Sequence, residues 1–203
     1  MTTNVTEPVR PLWTRFGRRR ASSVLAPVAI DATFEGEPLE RWVWVGEGTS
    51  SRYVDGAWHR TPHQDYGFLV HQERFEGRWR SHKVQNRTHP SYDGRAGAAD
   101  QQHAFVIAFG APEPDGRLPI RLRSSYGDGA GHSDPEFRHA VLEFRPAGVS
   151  RFAPYDRFRI TQHYRYADGR LDETVELFKL GRDGREQPFA RIEERARLFR
   201  PSP

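Results

Sequence analysis

Asp-Gly dipeptides divide this 203-residue sequence into short segments. Glycine accepts the positive φ angles of tight turns without steric cost, and Asp-Gly is typical of two-residue hairpin loops. Most of the pairs lie between runs in which apolar and polar residues alternate, as they do in half-buried strands. Asp-Gly occurs at 55–56, 93–94, 115–116, 128–129, 168–169 and 183–184, with Glu-Gly at 35–36 and 76–77. These regularly placed turn dipeptides predict successive antiparallel hairpins.

The runs between these turns predict a long antiparallel meander. We expect strands near 28–34, 40–48, 50–54, 66–75, 78–86, 103–110, 118–126, 137–145, 156–166 and 171–180. A meander of this length curls, and closure into a barrel removes its exposed edges. The predicted fold is therefore all-β, a single antiparallel meander β-barrel of about 9–11 strands with at most one helix.

The two ends of the chain differ from this pattern. Residues 1–22 are polar, basic and without periodicity, so we expect a tail or strap before a single barrel domain at 23–203. Residues 188–199 have apolar side chains at helical spacing, but they also alternate as a strand would, with Glu194 as the exception. A final strand is favoured because it would complete the barrel.

Composition excludes several classes of protein. Hydrophobic residues make up 36% of the chain, which is enough for a packed core. There is no cysteine, so disulfides, thiolate catalysis and cysteine-ligated metal centres are excluded. No apolar run approaches the roughly 18 residues of a membrane-spanning helix, and the run 24–30 is interrupted by Pro27. We therefore expect a cytoplasmic protein with no membrane partner.

The basic charge does not by itself predict a nucleic-acid partner. The net charge is +4, and Lys83 and Lys179 are the only lysines among 31 basic residues. The N-terminal segment 10–20 mixes arginine with Trp13 and Phe16, as single-stranded nucleic-acid binders do. This is one short segment, whereas nucleic-acid binding needs a basic surface that extends over a face of the protein.

Three short motifs resemble those of a known superfamily. "FEGRWRSHKV" contains Gly77-x-Trp79, which is similar to the Gly-x-Trp of calycins, the superfamily of lipocalins and fatty-acid-binding proteins. "WVWVGEGTSSRY" resembles the opening strand of the nitrobindin-like barrels in that superfamily, and "ARLFR" resembles their closing strand. The resemblance implies a calycin-like barrel that holds a ligand. Haem-binding members have a proximal histidine near the C-terminus, whereas no histidine follows His163 here, so no cofactor is expected.

The strand "RFRITQHYRY", 157–166, indicates where a ligand could bind. Its core-facing side carries Gln162, Tyr164 and Tyr166, although a buried polar atom needs a partner. If this side lines a lumen, these groups would orient a small apolar or aromatic guest. Trp42 and Trp44, on one side of their strand, would supply an aromatic wall. The alternative is ordinary packing, with the tyrosine hydroxyls at a rim.

The segment "FLVHQERF", 68–75, offers candidate acid–base groups. If the face that carries His71 and Glu73 points inward, the carboxylate would raise the basicity of the imidazole and fix its tautomer. His71 would then act as the base, Glu73 as its orienting partner and Tyr164 as the acid. The alternative is a solvated pair on the outer face.

Three further segments contain polar groups. His59, His63 and Asp65 could hold a metal from a loop, but chance clusters are common in a chain with nine histidines. Residues 86–103 and 124–137 are predicted to be flexible loops. The Gly-x-Gly-x-Gly pattern in the second is a weak phosphate-binding signal without a following helix.

We therefore expect a barrel that encloses a small apolar or aromatic molecule and transforms it by cofactor-independent acid–base chemistry. Isomerisation, cyclisation, hydration and elimination need little beyond a shaped pocket, one acid and one base. The alternative is a non-catalytic carrier or sensor. A more remote alternative is a metal-dependent enzyme that uses the loop 58–66.

Overall fold

Alternating residues and glycine turns produce one continuous antiparallel sheet in the computed structural model. The structure describes residues 36–86, 100–124, 127–145 and 155–199. The strands are β1 (Glu40–Val54), β2 (Ala57–Arg60), β3 (Tyr66–Phe75), β4 (Arg78–Asn86), β5 (Asp100–Phe109), β6 (Leu118–Ser124), β7 (Gly127–Ser133), β8 (His139–Phe144), β9 (Arg157–Arg165), β10 (Arg170–Leu180) and β11 (Glu186–Leu198). Three-residue 3₁₀ turns are formed by Pro62–Gln64 and Tyr166–Asp168.

The sheet closes on itself. Each strand from β3 to β11 pairs with its neighbour in sequence, β3 also pairs with β1, and β11 returns to pair with β1. The short β2 extends the end of β1 as a hairpin and stands outside the ring. The result is a closed antiparallel barrel of 10 strands, which confirms the predicted fold class.

Every second side chain along the strands points into the barrel. On β9 the buried side chains are Phe158, Ile160 and Tyr164, with the partly buried Gln162 between them. The same period of two runs through the other strands and produces one core rich in aromatic rings. Trp44 is the largest fully buried side chain in this core.

Two glycines on β1 make room for aromatic rings from β3. Gly48 lies opposite Tyr66 and Gly46 lies opposite Phe68 in the strand register. A Cβ atom at Gly48 would overlap the Tyr66 ring, and one at Gly46 would overlap the Phe68 ring and the backbone of β11. The rings can therefore cross β1 and approach β11 on the inside of the barrel.

Where the structure describes it, the segment 124–137 is not the flexible loop that the sequence suggested. Residues 127–133 form β7, and the Gly-x-Gly-x-Gly pattern has the period of a strand rather than that of a phosphate loop. A Cβ atom at Gly129 or Gly131 would overlap the backbone of β8, so glycine permits this close approach.

Other boundaries also differ from the prediction. The runs 40–48 and 50–54 form the single strand β1, and the short β2 was not predicted. The ambiguous segment 188–199 lies in β11, which confirms the closing strand. The predicted strand at 28–34, the predicted tail at 1–22 with its boundary and most of the predicted loop 86–103 lie outside the described residues.

Candidate functional site

A lysine and two glutamates meet inside the barrel. The Lys83 ammonium, from β4, forms an ion pair with Glu194 of β11 and lies 3.9 Å from Oε1 of Glu173 of β10. The side chains of Lys83, Glu173 and Glu194 retain 10%, 11% and 4% of their exposure. We call these three residues the charge cluster. Charges this strongly desolvated are costly unless they are paired and hydrogen-bonded.

Neighbouring side chains complete the hydrogen bonding of the cluster. Tyr66 donates its hydroxyl proton to Glu194, which it reaches across Gly48. Gln162 Nε2 donates to Oε2 of Glu173 at 2.6 Å. Gln162 and Glu173 are opposite each other in the β9–β10 register, so the sheet itself brings them together. The polar residue that interrupts the apolar face of β9 thus has a defined partner.

Glu173 is a buried carboxylic acid whose proton affinity the interior perturbs strongly. Burial and the negative charge of Glu194 together raise the pKa of its carboxyl to about 7. Lys83 and the hydrogen bond from Gln162 act in the opposite direction but do not cancel these effects. Glu173 can therefore gain or lose a proton near neutral pH, as an acid–base group in an enzyme must.

The charge cluster faces a small cavity of about 60 Å³. The cavity has room for about four water molecules. Its polar wall includes Gln72, Gln162 and Tyr164 beside the three charged residues. Its other lining is mainly apolar: Trp44, Phe68, Val70, Phe105, Ile107, Leu122, Leu142, Ile160 and Leu171. The cavity is thus polar on one side and apolar on the other.

An arginine and three aromatic rings close one end of the barrel. The Arg74 guanidinium lies 4.4 Å from the ring centre of Trp42, 4.3 Å from that of Trp79 and 5.8 Å from that of Tyr166. Arg74 also donates to Glu40 at 2.9 Å. Cation–π contacts with several rings hold the guanidinium in place. We call this group, Arg74 with Trp42, Trp79 and Tyr166, the aromatic plug.

The four predicted ligand-binding residues and the predicted acid, Tyr164, lie inside the barrel or at one end of it. Trp44, Gln162 and Tyr164 line the cavity, and Trp42 and Tyr166 belong to the aromatic plug. Burial strongly raises the pKa of Tyr164, so its hydroxyl stays protonated as a hydrogen-bond donor. Burial also raises the pKa of Tyr166 to about 12, and its hydroxyl donates to the carbonyl of Phe137 at 2.7 Å.

His71 and Glu73 lie on the other side of the sheet. The inward face of β3 carries Phe68, Val70 and Gln72, so the face of His71 and Glu73 points outward. Arg80 Nε donates to Glu73 at 2.7 Å. Burial raises the pKa of Glu73, but the hydrogen bond and charge of Arg80 outweigh this and leave that pKa lowered. The structure does not bring this pair together with Tyr164, and its catalytic role stays a prediction.

The histidine-rich segment is occupied with structural contacts. Asp65 accepts a hydrogen bond from the backbone N–H of Ser50 and forms an ion pair with Arg60, both at 2.8 Å. His59 lies in β2 and His63 in the 3₁₀ turn, and both are exposed. Within the described ranges, no group of three or more histidine or acidic side chains is arranged to hold a metal ion.

The charge cluster was not predicted, although the sequence contains signals for each of its three residues. Glu173 falls between Leu171 and Val175 on the apolar face of β10, as Gln162 does on β9. Glu194 was noted as the exception in the alternation of the last strand. Lys83 is one of two lysines in an arginine-rich chain. Applied to every strand, the search for polar residues on apolar faces finds all three residues.

Comparison with known proteins adds little to this description. No protein-family model matches the chain, and no curated protein matches its sequence. Among solved structures, it is similar to the crystal structure of Rv2717c from M. tuberculosis, with 12% identity and a TM-score of 0.47. The match covers 78% of this chain and 91% of that chain. A likeness this remote carries no argument about ligands, and the resemblance to calycins stays a prediction. In the described part of the chain, no helix has the length and apolar character needed to cross a membrane.

Proposed function

We propose that the barrel binds a small, largely apolar molecule and that Glu173 exchanges a proton with it. The observation that carries this proposal is the presence of two carboxyl groups beside one ammonium at the wall of an otherwise mainly apolar cavity. Perturbed acids in such clefts are common at functional sites. In this proposal Glu173 takes the role of base that the sequence suggested for His71.

The balance of charge favours a neutral or cationic guest. Lys83 can neutralise one carboxylate, and its closer partner is Glu194. When Glu173 ionises, the cluster has one negative charge in excess, which a bound cation would compensate. An anionic guest would add to the excess. We therefore expect the group that the guest presents to Glu173 to be a proton donor, either an amine or an acidic C–H.

The proposed chemistry uses the apolar wall to position the guest and the polar wall to move a proton. The Glu173 carboxylate would accept a proton from a carbon next to a carbonyl, and the electron pair of that C–H bond would move to the carbonyl oxygen. The protonated hydroxyl of Tyr164 and the ammonium of Lys83 would stabilise the negative oxygen. Return of the proton to a different carbon gives an isomer, and loss of a leaving group gives elimination.

Three probes with one carbon skeleton test the predicted charge preference. Isobutylamine, isobutanol and isobutyrate carry a cationic, a neutral and an anionic end. Binding is measured from chemical-shift changes in protein NMR spectra at pH 6 and pH 8. We expect the amine to bind best at pH 8 and roughly tenfold more weakly at pH 6, where Glu173 with a pKa of about 7 is mostly protonated. Preferential binding of isobutyrate would contradict the proposal.

Exchange of the α-protons of butanone in D₂O tests the acid–base step. We expect the wild-type protein to accelerate deuterium incorporation, with a rate that rises through about pH 7 as Glu173 ionises. Glu173→Gln should abolish the acceleration, and Glu73→Gln, on the outer face, is the matched control. The small and enclosed cavity also suits a non-catalytic carrier. Binding of butanone with equal exchange rates in wild type and Glu173→Gln would favour the carrier and reject the enzyme.

A further inference from the structure

Three arginines lie side by side on the outside of the barrel. In the strand register, Arg165 of β9 is opposite Arg170 of β10, which is opposite Arg197 of β11. All three side chains are exposed. We call Arg165, Arg170 and Arg197 the arginine row. Like charges directly opposite each other on neighbouring strands destabilise a sheet, so this arrangement is unfavourable unless something compensates it.

The same strands alternate their charges elsewhere. Further along them, Arg191 forms an ion pair with Glu176 at 3.2 Å, and Arg159 forms one with Glu143 at 2.7 Å. Cross-strand charges of opposite sign are thus available to this sheet. By contrast, Arg170 and Arg197 form no ion pair with any residue in the described part of the chain. Arg165 is paired with Asp172. Two guanidinium groups of the row therefore have no protein counter-charge there.

The row borders an open concavity of about 800 Å³. The concavity is lined by residues of β1, β10 and β11 and by Arg165 of β9, so all three arginines of the row contribute to its wall. Val45 follows Arg197 in the register and Leu69 follows Val45. These two aliphatic side chains are 46% and 43% exposed. An exposed apolar pair thus continues the line of the guanidinium groups.

We propose that the arginine row binds the phosphate group of a small phosphorylated molecule, whose apolar part lies on Val45 and Leu69. The planar fork of arginine donors matches phosphate oxygens, and two neighbouring guanidinium groups can share one phosphate. A compact ligand is favoured over a long polyanion because Glu47, Asp172 and Glu193 also line the concavity. A polyanion that crossed the whole face would meet these carboxylates.

Phenyl phosphate and inorganic phosphate are the probes for this site, and binding is measured by calorimetry and chemical shifts. We expect saturable binding that weakens steeply with added salt. The double variant Arg170→Gln/Arg197→Gln should weaken phenyl phosphate binding about tenfold or more. The control Arg121→Gln/Arg182→Gln removes the same charge from exposed positions elsewhere on the surface and should change affinity less than about twofold. Equal weakening in both double variants, or no saturable binding in wild type, would overturn the proposal.

Two further measurements separate the parts of the proposal. Val45→Ser/Leu69→Ser should weaken the binding of phenyl phosphate but leave the binding of inorganic phosphate unchanged. Equal losses of affinity for both probes would reject the apolar contact.

Without ligand, the variant Arg170→Gln should melt about 1–3 °C higher than wild type because it removes repulsion between opposed charges. A lower melting temperature would mean that the arginine stabilises the fold. Tighter binding of a single-stranded oligonucleotide than of phenyl phosphate would reject the compact ligand.

Discussion

Glu73 and Glu173 lie on opposite sides of the same barrel wall, and their carboxyl groups behave in opposite ways. Glu73 is on the outer face, where Arg80 donates to it and Arg41 lies 3.7 Å away, and its pKa is lowered. Glu173 is inside, where it shares one ammonium with Glu194, and its pKa is raised to about 7. Both glutamates have a basic neighbour. Burial raises the pKa of both carboxyl groups, so the number of cations per carboxylate decides the direction.

A charged pair in the sequence therefore does not by itself locate an acid–base site. The His71–Glu73 pattern indicates acid–base groups equally well on either face of a strand. Only the strand register decides which face is dry, and a shift by one residue would exchange the two faces. The inward position of Gln72 between them places His71 and Glu73 outside. Glu173, which has no histidine partner, is the glutamate whose pKa is raised.

The largest expected contrast comes from removing the cation on each side. Lys83→Met leaves Glu173 and Glu194 buried without a counter-charge, and we expect a loss of about 3–5 kcal/mol of unfolding free energy. Arg80→Met removes the outer partner of Glu73 and should cost less than about 1 kcal/mol, because solvent screens that pair. Urea unfolding of both variants measures the difference. Similar losses in the two variants would erase the distinction between the two faces.

A smaller effect is expected from the pH dependence of Glu173. Its pKa is raised from 4.5 to about 7 in the folded state, so the folded protein holds the proton more tightly than the unfolded chain does. The free energy of unfolding should therefore fall as pH rises from about 4.5 to 7, and this group contributes up to about 3 kcal/mol to the fall. Glu173→Gln should remove that decline. Unfolding curves at pH 5 and pH 8 check this, and an unchanged decline in Glu173→Gln would assign it to another group.

The smallest expected effect is that of Glu73→Gln, and it has the opposite sign. The pKa of Glu73 is lowered in the folded state, so its carboxylate stabilises the protein above the unfolded pKa. That stability is lost as pH falls through the folded pKa. The variant should therefore lose no more than about 1 kcal/mol at pH 7 and match wild type at low pH. A loss that persists in acid would point to packing rather than charge.

The fold could be predicted from the sequence to a large extent, because turns and alternation are local. The strands at 66–75 and 78–86 match β3 and β4 residue for residue. β7 was missed because its glycines were interpreted as a loop, although their function is to let β8 approach. The inward-facing aromatic and amide residues were also predictable, since they follow from a period of two on strands of known polarity.

The charge cluster could not be predicted as a unit, since Lys83 lies on β4, far in sequence from the consecutive strands β10 and β11 that place Glu173 opposite Glu194. Lys83 and Glu194 are 111 residues apart and meet only because β11 closes the barrel onto β1. The hydrogen bond from Tyr66 to Glu194 also depends on Gly48, which leaves room for the Tyr66 ring to cross β1. Polar positions on apolar faces are visible in the sequence, but the distances between them depend on closure and on the register.

Direct titration of the Glu73 and Glu173 carboxyl groups tests whether their pKa values are shifted in opposite directions. Carbon-13 NMR of protein labelled at the glutamate carboxyl carbons, with Glu173→Gln and Glu73→Gln to assign the signals, gives both pKa values in one sample. We predict that Glu173 titrates near pH 7 and that Glu73 titrates below 4.5. Titration of Glu173 at or below 4.5 would mean that its charge is fully compensated inside the barrel, and it would contradict the proposed role of Glu173 as the acid–base group.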